Sequence, residues 1–322
     1  MRVVFMGTPP FAVATLDALH RRGDEVSLVF TQPDRLVGRG RKLTPPPVKA
    51  RALELGLPVF QPQRVKDPEA LERIEAIAPE AIVVVGYGQI IPDTIFNFPK
   101  YGCVNVHASL LPKYRGAAPI NWAVVNGETV TGVTTMRIAK RLDAGDMLLK
   151  REVEIGPGET APELSARLAP IGAELLLDTL DALASGSIVA QPQDHAEATF
   201  APILKREDGW IDWALSARQI FDRVRSFEPW PGTYTSFRGK RLHIRKARPA
   251  TLKTAAAALK TAAAVLPGTI VAADEGFLVG CGDDSALAVE EVQLDGKNRI
   301  SSNEFRRGYH LAGGEKLGEP LE

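Results

Sequence analysis

Along the first half of the chain, apolar and polar positions fall into two alternating kinds of block. Short apolar runs at Val3 to Met6, Val26 to Phe30, Val59 to Phe60, Ile82 to Val85, Val104 to Val106 and Val133 to Ile138 read as buried strands. Segments starting at Phe11, Val48, Pro68 and Pro119 read as the helices between them. This alternation predicts an α/β fold, a Rossmann-like doubly wound parallel sheet. Ligands of such sheets bind outside the carboxyl ends of the strands, the rim on which Gly7-Thr8-Pro9-Pro10, Gly86-Tyr87-Gly88 and His107-Ala108-Ser109 are expected to converge.

Residues Glu159 to Leu183 carry apolar side chains at Leu164, Leu168, Ile171, Leu175, Leu176 and Leu180, a helical pattern that ends at Ser185-Gly186. The pattern then stops. Residues 190–202 are polar and Pro-containing without periodicity, as expected of a linker between a domain of residues 1–189 and one of residues 203–322. Beyond it, Ile211 to Phe227 looks helical. Short β-rich runs at Thr233 to Phe237, Leu242 to Arg245, Gly268 to Ala272, Phe277 to Gly280 and Ala286 to Leu294 predict a small β-barrel. The near-repeat Leu252-Lys253-Thr254-Ala255 and Leu259-Lys260-Thr261-Ala262 opens two Ala-rich stretches, read as a surface excursion between strands.

A length of 322 residues suits two domains, and 45% hydrophobic with 24% charged residues is the composition of a soluble globular protein. The formal net charge of zero argues against coating nucleic acid by bulk charge, yet leaves room for local basic patches. Cys103 and Cys281 form neither a disulfide framework nor a metal-ligand spacing, so no metal is expected and a reducing compartment fits. The start of the chain has too short an apolar run for a signal peptide, and no stretch approaches a membrane span, which reads as a cytoplasmic protein without a membrane partner. Gly7-Thr8-Pro9-Pro10-Phe11 lacks the spaced glycines that hold a pyrophosphate, so NAD is not expected. Gly38-Arg39-Gly40 also fails as a phosphate loop, since it does not sit between a buried strand and a helix.

The densest chemistry lies at Asn105-Val106-His107-Ala108-Ser109-Leu110-Leu111-Pro112 and at Leu142-Asp143-Ala144-Gly145-Asp146. Residues two apart in a strand share a face, so Asn105 and His107 point the same way. An amide donor suits an oxyanion, and an imidazole titrates near neutral pH. Asp143 is the candidate carboxylate to orient the ring; Asp146 is left to the turn. Together with Arg115-Gly116-Ala117-Ala118-Pro119, these segments resemble the active site of the folate-dependent formyltransferases. The resemblance implies catalytic roles for Asn105, His107 and Asp143. It also implies 10-formyltetrahydrofolate as formyl donor, with folate contacts from Ser109, Leu110, Leu111 and Pro112 and a pterin-pocket wall that includes Gly88 and Ile90.

The segment from Gln32 to Lys49 is basic, rich in Gly and Pro, and longer than an ordinary strand-to-helix connection. It resembles the loop by which methionyl-tRNA formyltransferases engage the acceptor end of initiator tRNA, with Arg39 at the key position and Arg35, Arg41 and Lys42 beside it. The second half agrees: between residues 218 and 260 the cations Arg223, Arg225, Arg238, Lys240, Arg241, Arg245, Lys246, Arg248 and Lys253 outnumber the acids Asp222 and Glu228. Lys240 and Arg241 are the candidate phosphate contacts. Phe227-Glu228-Pro229-Trp230 and Trp210-Ile211-Asp212-Trp213 resemble the C-terminal OB-like β-barrel domain of that family. The resemblance implies formyl transfer to the α-amino group of methionyl initiator tRNA; a monomer is expected. The rival readings are a formyltransferase for a small amine, a formylfolate hydrolase, and a binding module with a dead site.

Overall fold

The computed structural model describes residues 1–38, 40–251, 265–273 and 276–319. Arg39 and residues 252–264 of the Ala-rich repeat lie outside the described residues. The chain divides into two compact units. The first holds residues 1–120, 130–155 and 163–202; the second holds residues 121–129, 156–162 and 203–322.

The elements of the first half are β1 (Arg2–Gly7), α1 (Pro10–Arg22), β2 (Glu25–Phe30), β3 (Arg35–Val37), β4 (Lys42–Thr44), α2 (Pro47–Glu54), β5 (Val59–Phe60), α3 (Pro68–Ile77), β6 (Ala81–Val85) and α4 (Asp93–Phe96). They are followed by β7 (Cys103–His107), β8 (Arg115–Gly116), α5 (Pro119–Val125), β9 (Val130–Arg137), β10 (Met147–Glu154), α6 (Ala161–Ser185) and β11 (Phe200–Ala201).

In the first unit the main sheet runs β10-β9-β7-β6-β1-β2-β5. The five strands from β7 to β5 are parallel, as the pattern predicts. Helices cover both faces of such a sheet, so β1 and β6 read as nearly continuous apolar runs, while β7 is buried along its length yet carries Asn105 and His107. On one face Val4, Met6, Leu28, Phe30, Ile82 and Val84 form a core with Val65, Ala70 and Ile74. The last two strands depart from the parallel expectation: β9 is antiparallel to β7, and β10 to β9. For β10 the reason is the connection. β9 and β10 are joined by a short loop with no crossover helix, which can only make an antiparallel pair. That loop carries Asp143. β10 escapes the sequence pattern because it is an edge strand whose outward positions are charged (Lys150, Glu152, Glu154), a common guard against edge pairing.

Residues 190–202, expected as a linker, belong to the first unit. Gln191 bridges Met147, and β11 pairs in parallel with β8 through Phe200↔Arg115 and Ala201↔Gly116.

The second unit contains α7 (Ala217–Phe227), β12 (Thr233–Phe237), β13 (Lys240–Thr251), β14 (Ile270–Ala272), β15 (Phe277–Gly280), β16 (Ser285–Leu294), β17 (Ile300–Ser301) and α8 (Ser302–Tyr309). Ser216 and Gln219 cap α7 reciprocally, which sets its start six residues beyond the point where apolar periodicity suggests one. The sheet order is β12-β13-β16-β15-β14, all antiparallel, with β17 on β16. Register shifts near Lys246 bend β13 against β16, and bulges of this kind curl the sheet into a half-barrel. Ile220, Val224, Phe237, Leu242, Ile244, Phe277, Leu287 and Phe305 fill its interior.

Two stretches from the first half of the sequence complete this unit. The Trp122 ring meets Phe227 edge-on at 6.3 Å, and Asn121 donates to the Ser226 carbonyl at 2.8 Å. Arg225, buried, pairs with Asp222 at 2.6 Å and donates to the carbonyls of Glu159 (2.7 Å) and Gly156 (3.3 Å). Among the described residues no helix is long and apolar enough to cross a membrane.

Candidate active site

Asn105 and His107 share one face of β7, and both are nearly buried, at 9% and 6% exposure. The imidazole is fixed from one side. Its Nε2 lies 2.9 Å from the carbonyl oxygen of Tyr114, and since a carbonyl only accepts, Nε2 carries the hydrogen. The neutral ring therefore presents a bare lone pair at Nδ1, and Nδ1 faces Oδ2 of Asp143 at 3.8 Å. That gap is too long for a hydrogen bond, yet close enough for strong attraction once the ring gains a proton. The tautomer is thus set by the Tyr114 carbonyl rather than by a carboxylate. The Asn105 side chain makes no hydrogen bond to any described residue, which leaves its amide hydrogens for a ligand.

Two tight turns bring these groups together. Tyr114 and Asp143 both adopt left-handed backbone conformations, with φ of 60° and 47°, uncommon for residues other than glycine and often found at functional sites. Gly116 donates its N–H to Asp143 Oδ2 at 2.8 Å. It has φ of 125°, and a Cβ there would lie 2.5 Å from the Ala201 carbonyl oxygen, so only glycine fits between β8 and β11. Gly145 is equally constrained, because a Cβ would lie 1.9 Å from the Arg137 carbonyl oxygen.

The segment after His107 is tied down by its own polar groups. Ser109 Oγ donates to the Lys113 carbonyl at 2.6 Å, and Thr134 Oγ1 donates to the Ser109 carbonyl at 2.7 Å. Thr134 in turn accepts from Leu111 N–H at 3.2 Å, and Lys150 Nζ donates to the Leu111 carbonyl at 2.5 Å. Leu111 packs with Met136 and Met147 in the interior, whereas Leu110 and Pro112 are half-buried. Thr134 and Lys150 are invisible as site residues in the sequence, because nothing local marks a strand Thr or Lys as a loop clamp.

The Tyr87 carbonyl accepts from Thr8 Oγ1 (2.9 Å) and Gln32 Nε2 (3.2 Å), which joins the loops after β1, β2 and β6 at the carboxyl ends of their strands. Gly88 is exposed there at φ of 85°. Ile90 is 88% exposed, while Ile91 is buried in the core. The Tyr87 phenol is also buried, and burial pushes its pKa up.

The basic segment holds a small antiparallel hairpin, β3 on β4, on which Arg35, Arg41 and Lys42 are exposed. In the second unit the count of free cations needs correcting. Arg225 pairs with Asp222, Arg245 with Glu228 at 3.0 Å, Arg238 with Glu315 at 2.9 Å, and Lys246 and Arg248 both with Glu290, at 3.2 and 3.4 Å. Glu290 and Glu315 are distant in sequence, so a local charge count misses them. Among the described residues Arg223, Lys240 and Arg241 have no ion pair, and the Arg241 guanidinium lies over the Tyr234 ring at 4.5 Å. No group of three His, Cys, Asp or Glu that could hold a metal occurs among the described residues.

Residues 1–180 match the family model described as formyl transferase, and residues 203–310 match that of the formyl transferase C-terminal domain. A methionyl-tRNA formyltransferase of Solibacter usitatus is 54% identical over 319 residues, covering 99% of both chains. One of Geobacter sulfurreducens is 49% identical over 320 residues, covering 99% of this chain and 97% of the relative. Among solved structures, the sugar 3N-formyltransferase WlaRD, determined in the presence of dTDP and 5-N-formyl-THF, shares the fold with a TM-score of 0.64 at 16% identity, covering 92% of this chain and 99% of that one.

Proposed function

The chain belongs to the methionyl-tRNA formyltransferase family, and from that premise we propose that it transfers the formyl group of 10-formyltetrahydrofolate to the α-amino group of methionyl initiator tRNA. The observation that carries the reading is the imidazole of His107, held by a carbonyl at Nε2 and faced by a carboxylate at Nδ1, on the same strand face as an amide with free donors.

The chemistry follows from those atoms. The neutral amine attacks the formyl carbon, and as the C–N bond forms the carbonyl oxygen takes up negative charge. Asn105 Nδ2 donates to that oxygen. His107 Nδ1 takes the proton that the amine must lose, and Asp143 stabilises the resulting imidazolium. Breakdown of the tetrahedral centre expels the folate nitrogen, which receives the same proton back from Nδ1. A free α-amine has an ordinary pKa of about 7.7 to 8.0, so a fraction is already neutral and a strong base is not required. The Ser109-to-Pro112 turn, with Gly88 and Ile90, supplies the folate-facing wall in this reading. The basic hairpin with Arg35, Arg41 and Lys42, the neighbouring Arg39 of the sequence, and Lys240 and Arg241 in the second unit supply contacts to tRNA phosphates. The protein acts in the cytoplasm as a monomer.

The test uses formyl-labelled folate with methionyl initiator tRNA, with small amines, or with no acceptor. Label on the aminoacyl-tRNA supports the reading. Label confined to small amines or released as formate overturns it in favour of a small-amine transferase or a hydrolase.

A further inference from the structure

Gln193 lies in the polar stretch 190–202, where nothing in the sequence singles it out, yet it is 7% exposed and every hydrogen-bonding capacity of its amide is used. Its Oε1 accepts from Arg115 Nε at 3.0 Å and from Arg115 Nη2 at 2.6 Å. Its Nε2 donates to the carbonyl of Asp143 at 2.8 Å and to that of Gly145 at 2.7 Å. The orientation is not interchangeable. A guanidinium offers only donors and the two carbonyls only acceptors, so a flipped amide would oppose like against like on both sides. Arg115 is itself buried, with Nη2 also 3.0 Å from His195 Nδ1, and burial lowers its pKa while the charge of Asp143 acts in the opposite sense.

We infer that Gln193, anchored by Arg115, is a positioning residue that sets the height of the Asp143 carboxylate against the His107 imidazole. The reason is geometric. Asp143 sits in a left-handed conformation, which aspartate tolerates better than most residues but which still costs more than for glycine and persists where its surroundings hold it, and its Oδ2 is held by a single N–H, from Gly116. The two carbonyls that Gln193 grips flank Ala144, so its amide pins the backbone on either side of the turn. Without that grip the turn is free to relax toward ordinary backbone angles, and the 3.8 Å gap to Nδ1 is what changes. The inference rests on the proposed role of Asp143 and names what holds that residue in place.

The test is a kinetic cycle on the full chain with Gln193→Ala, Gln193→Glu, Asp143→Asn and the Gln193→Ala/Asp143→Asn pair, with thermal unfolding of each. A displacement of about 1 Å at a catalytic group costs on the order of 100-fold, so Gln193→Ala is expected to lower kcat by about 10- to 100-fold with KM for formylfolate within about twofold. Gln193→Glu, which sets an acceptor against the two carbonyls, is expected to be worse than Ala. In the Asp143→Asn background, Gln193→Ala is expected to cost almost nothing further, because the group it positions is already disabled. Losses that multiply in the double variant, or a kcat for Gln193→Ala equal to wild type in a folded protein, overturn the inference. If Asp143→Asn alone leaves kcat intact, the role of Asp143 falls, and the inference falls with it for that separately visible reason.

Discussion

Asp143→Asn keeps the shape of the side chain and its acceptor toward Gly116 N–H while removing one negative charge 3.8 Å from His107 Nδ1. Two unit charges at that separation attract by about 4 kcal/mol at an effective dielectric of 20. Both side chains are largely shielded from water, and protein sites of this kind behave as a medium of about that dielectric. At 1.36 kcal/mol per decade, full loss of this attraction for a developing imidazolium corresponds to about 1,000-fold in rate. Partial proton transfer in the transition state reduces the effect, which sets a lower bound of about 10-fold. The Arg115 guanidinium, whose charge Asp143 partly offsets, then opposes the imidazolium unopposed and pushes the loss toward the larger figure. The assay is single-turnover formyl transfer to methionyl initiator tRNA across pH, with folate affinity measured separately. Turnover within about threefold of wild type, with the same pH profile and an unchanged melting curve, would refute the assignment of Asp143 as the imidazolium's counter-charge.

Three further outcomes follow from the second unit. Asp222→Asn leaves the buried Arg225 without its counter-charge and is expected to cost about 3 to 5 kcal/mol, read as a fall of about 10 to 20 °C in the unfolding midpoint of that unit; a fall below about 5 °C would count against it. His243 has its pKa held below the ordinary 6.5 by burial and by Arg245, against the pull of Asp295, so the unfolded chain takes up the proton first and stability declines as pH drops through 6.5, levelling off below the folded value. His243→Gln is expected to flatten that decline, and an unchanged slope of melting temperature against pH would remove His243 as its source. Lys240→Ala with Arg241→Ala is expected to reduce the slope of log affinity for tRNA against log salt by up to about 0.9 per lost phosphate contact, whereas Lys246→Ala with Arg248→Ala, whose cations are engaged by Glu290, is expected to reduce it less. Equal slopes for the two pairs would sink the distinction.

The parallel strands and their helices were legible because burial on both faces writes itself as unbroken apolar runs, as at Ile82 to Val85. β10 was not, because an edge strand half in water alternates charge with burial. Asn105 and His107 were readable as a pair from strand periodicity alone. Asp143 needed the motif, since no local rule says that a turn 36 residues after His107 reaches back to it. Gln193, Thr134 and the Tyr114 carbonyl were beyond reach: a buried amide, a strand hydroxyl and a backbone oxygen acquire their roles only from long-range contacts. The charge balance of the second unit failed for the same reason, with Glu290 and Glu315 supplied by distant strands and turns.

The two stretches that the second unit takes from the middle of the chain bear on how the protein is made. Asn121 and Trp122 leave the ribosome ahead of Ser226 and Phe227, and Asn121 precedes Ser226 by 105 residues. At roughly 5 to 20 residues per second, that is a wait of about 5 to 20 seconds with an indole ring and a polar amide lacking their final neighbours. The carbonyls of Gly156 and Glu159 wait in the same way for the guanidinium of Arg225. Nascent chains halted short of residue 225 are therefore the species for which a chaperone that recognises exposed aromatic segments has most to hold. A hybrid that exchanges only residues 203–322 between relatives inherits a mismatch at residues 121–129 and 156–162 unless those sixteen positions travel with it.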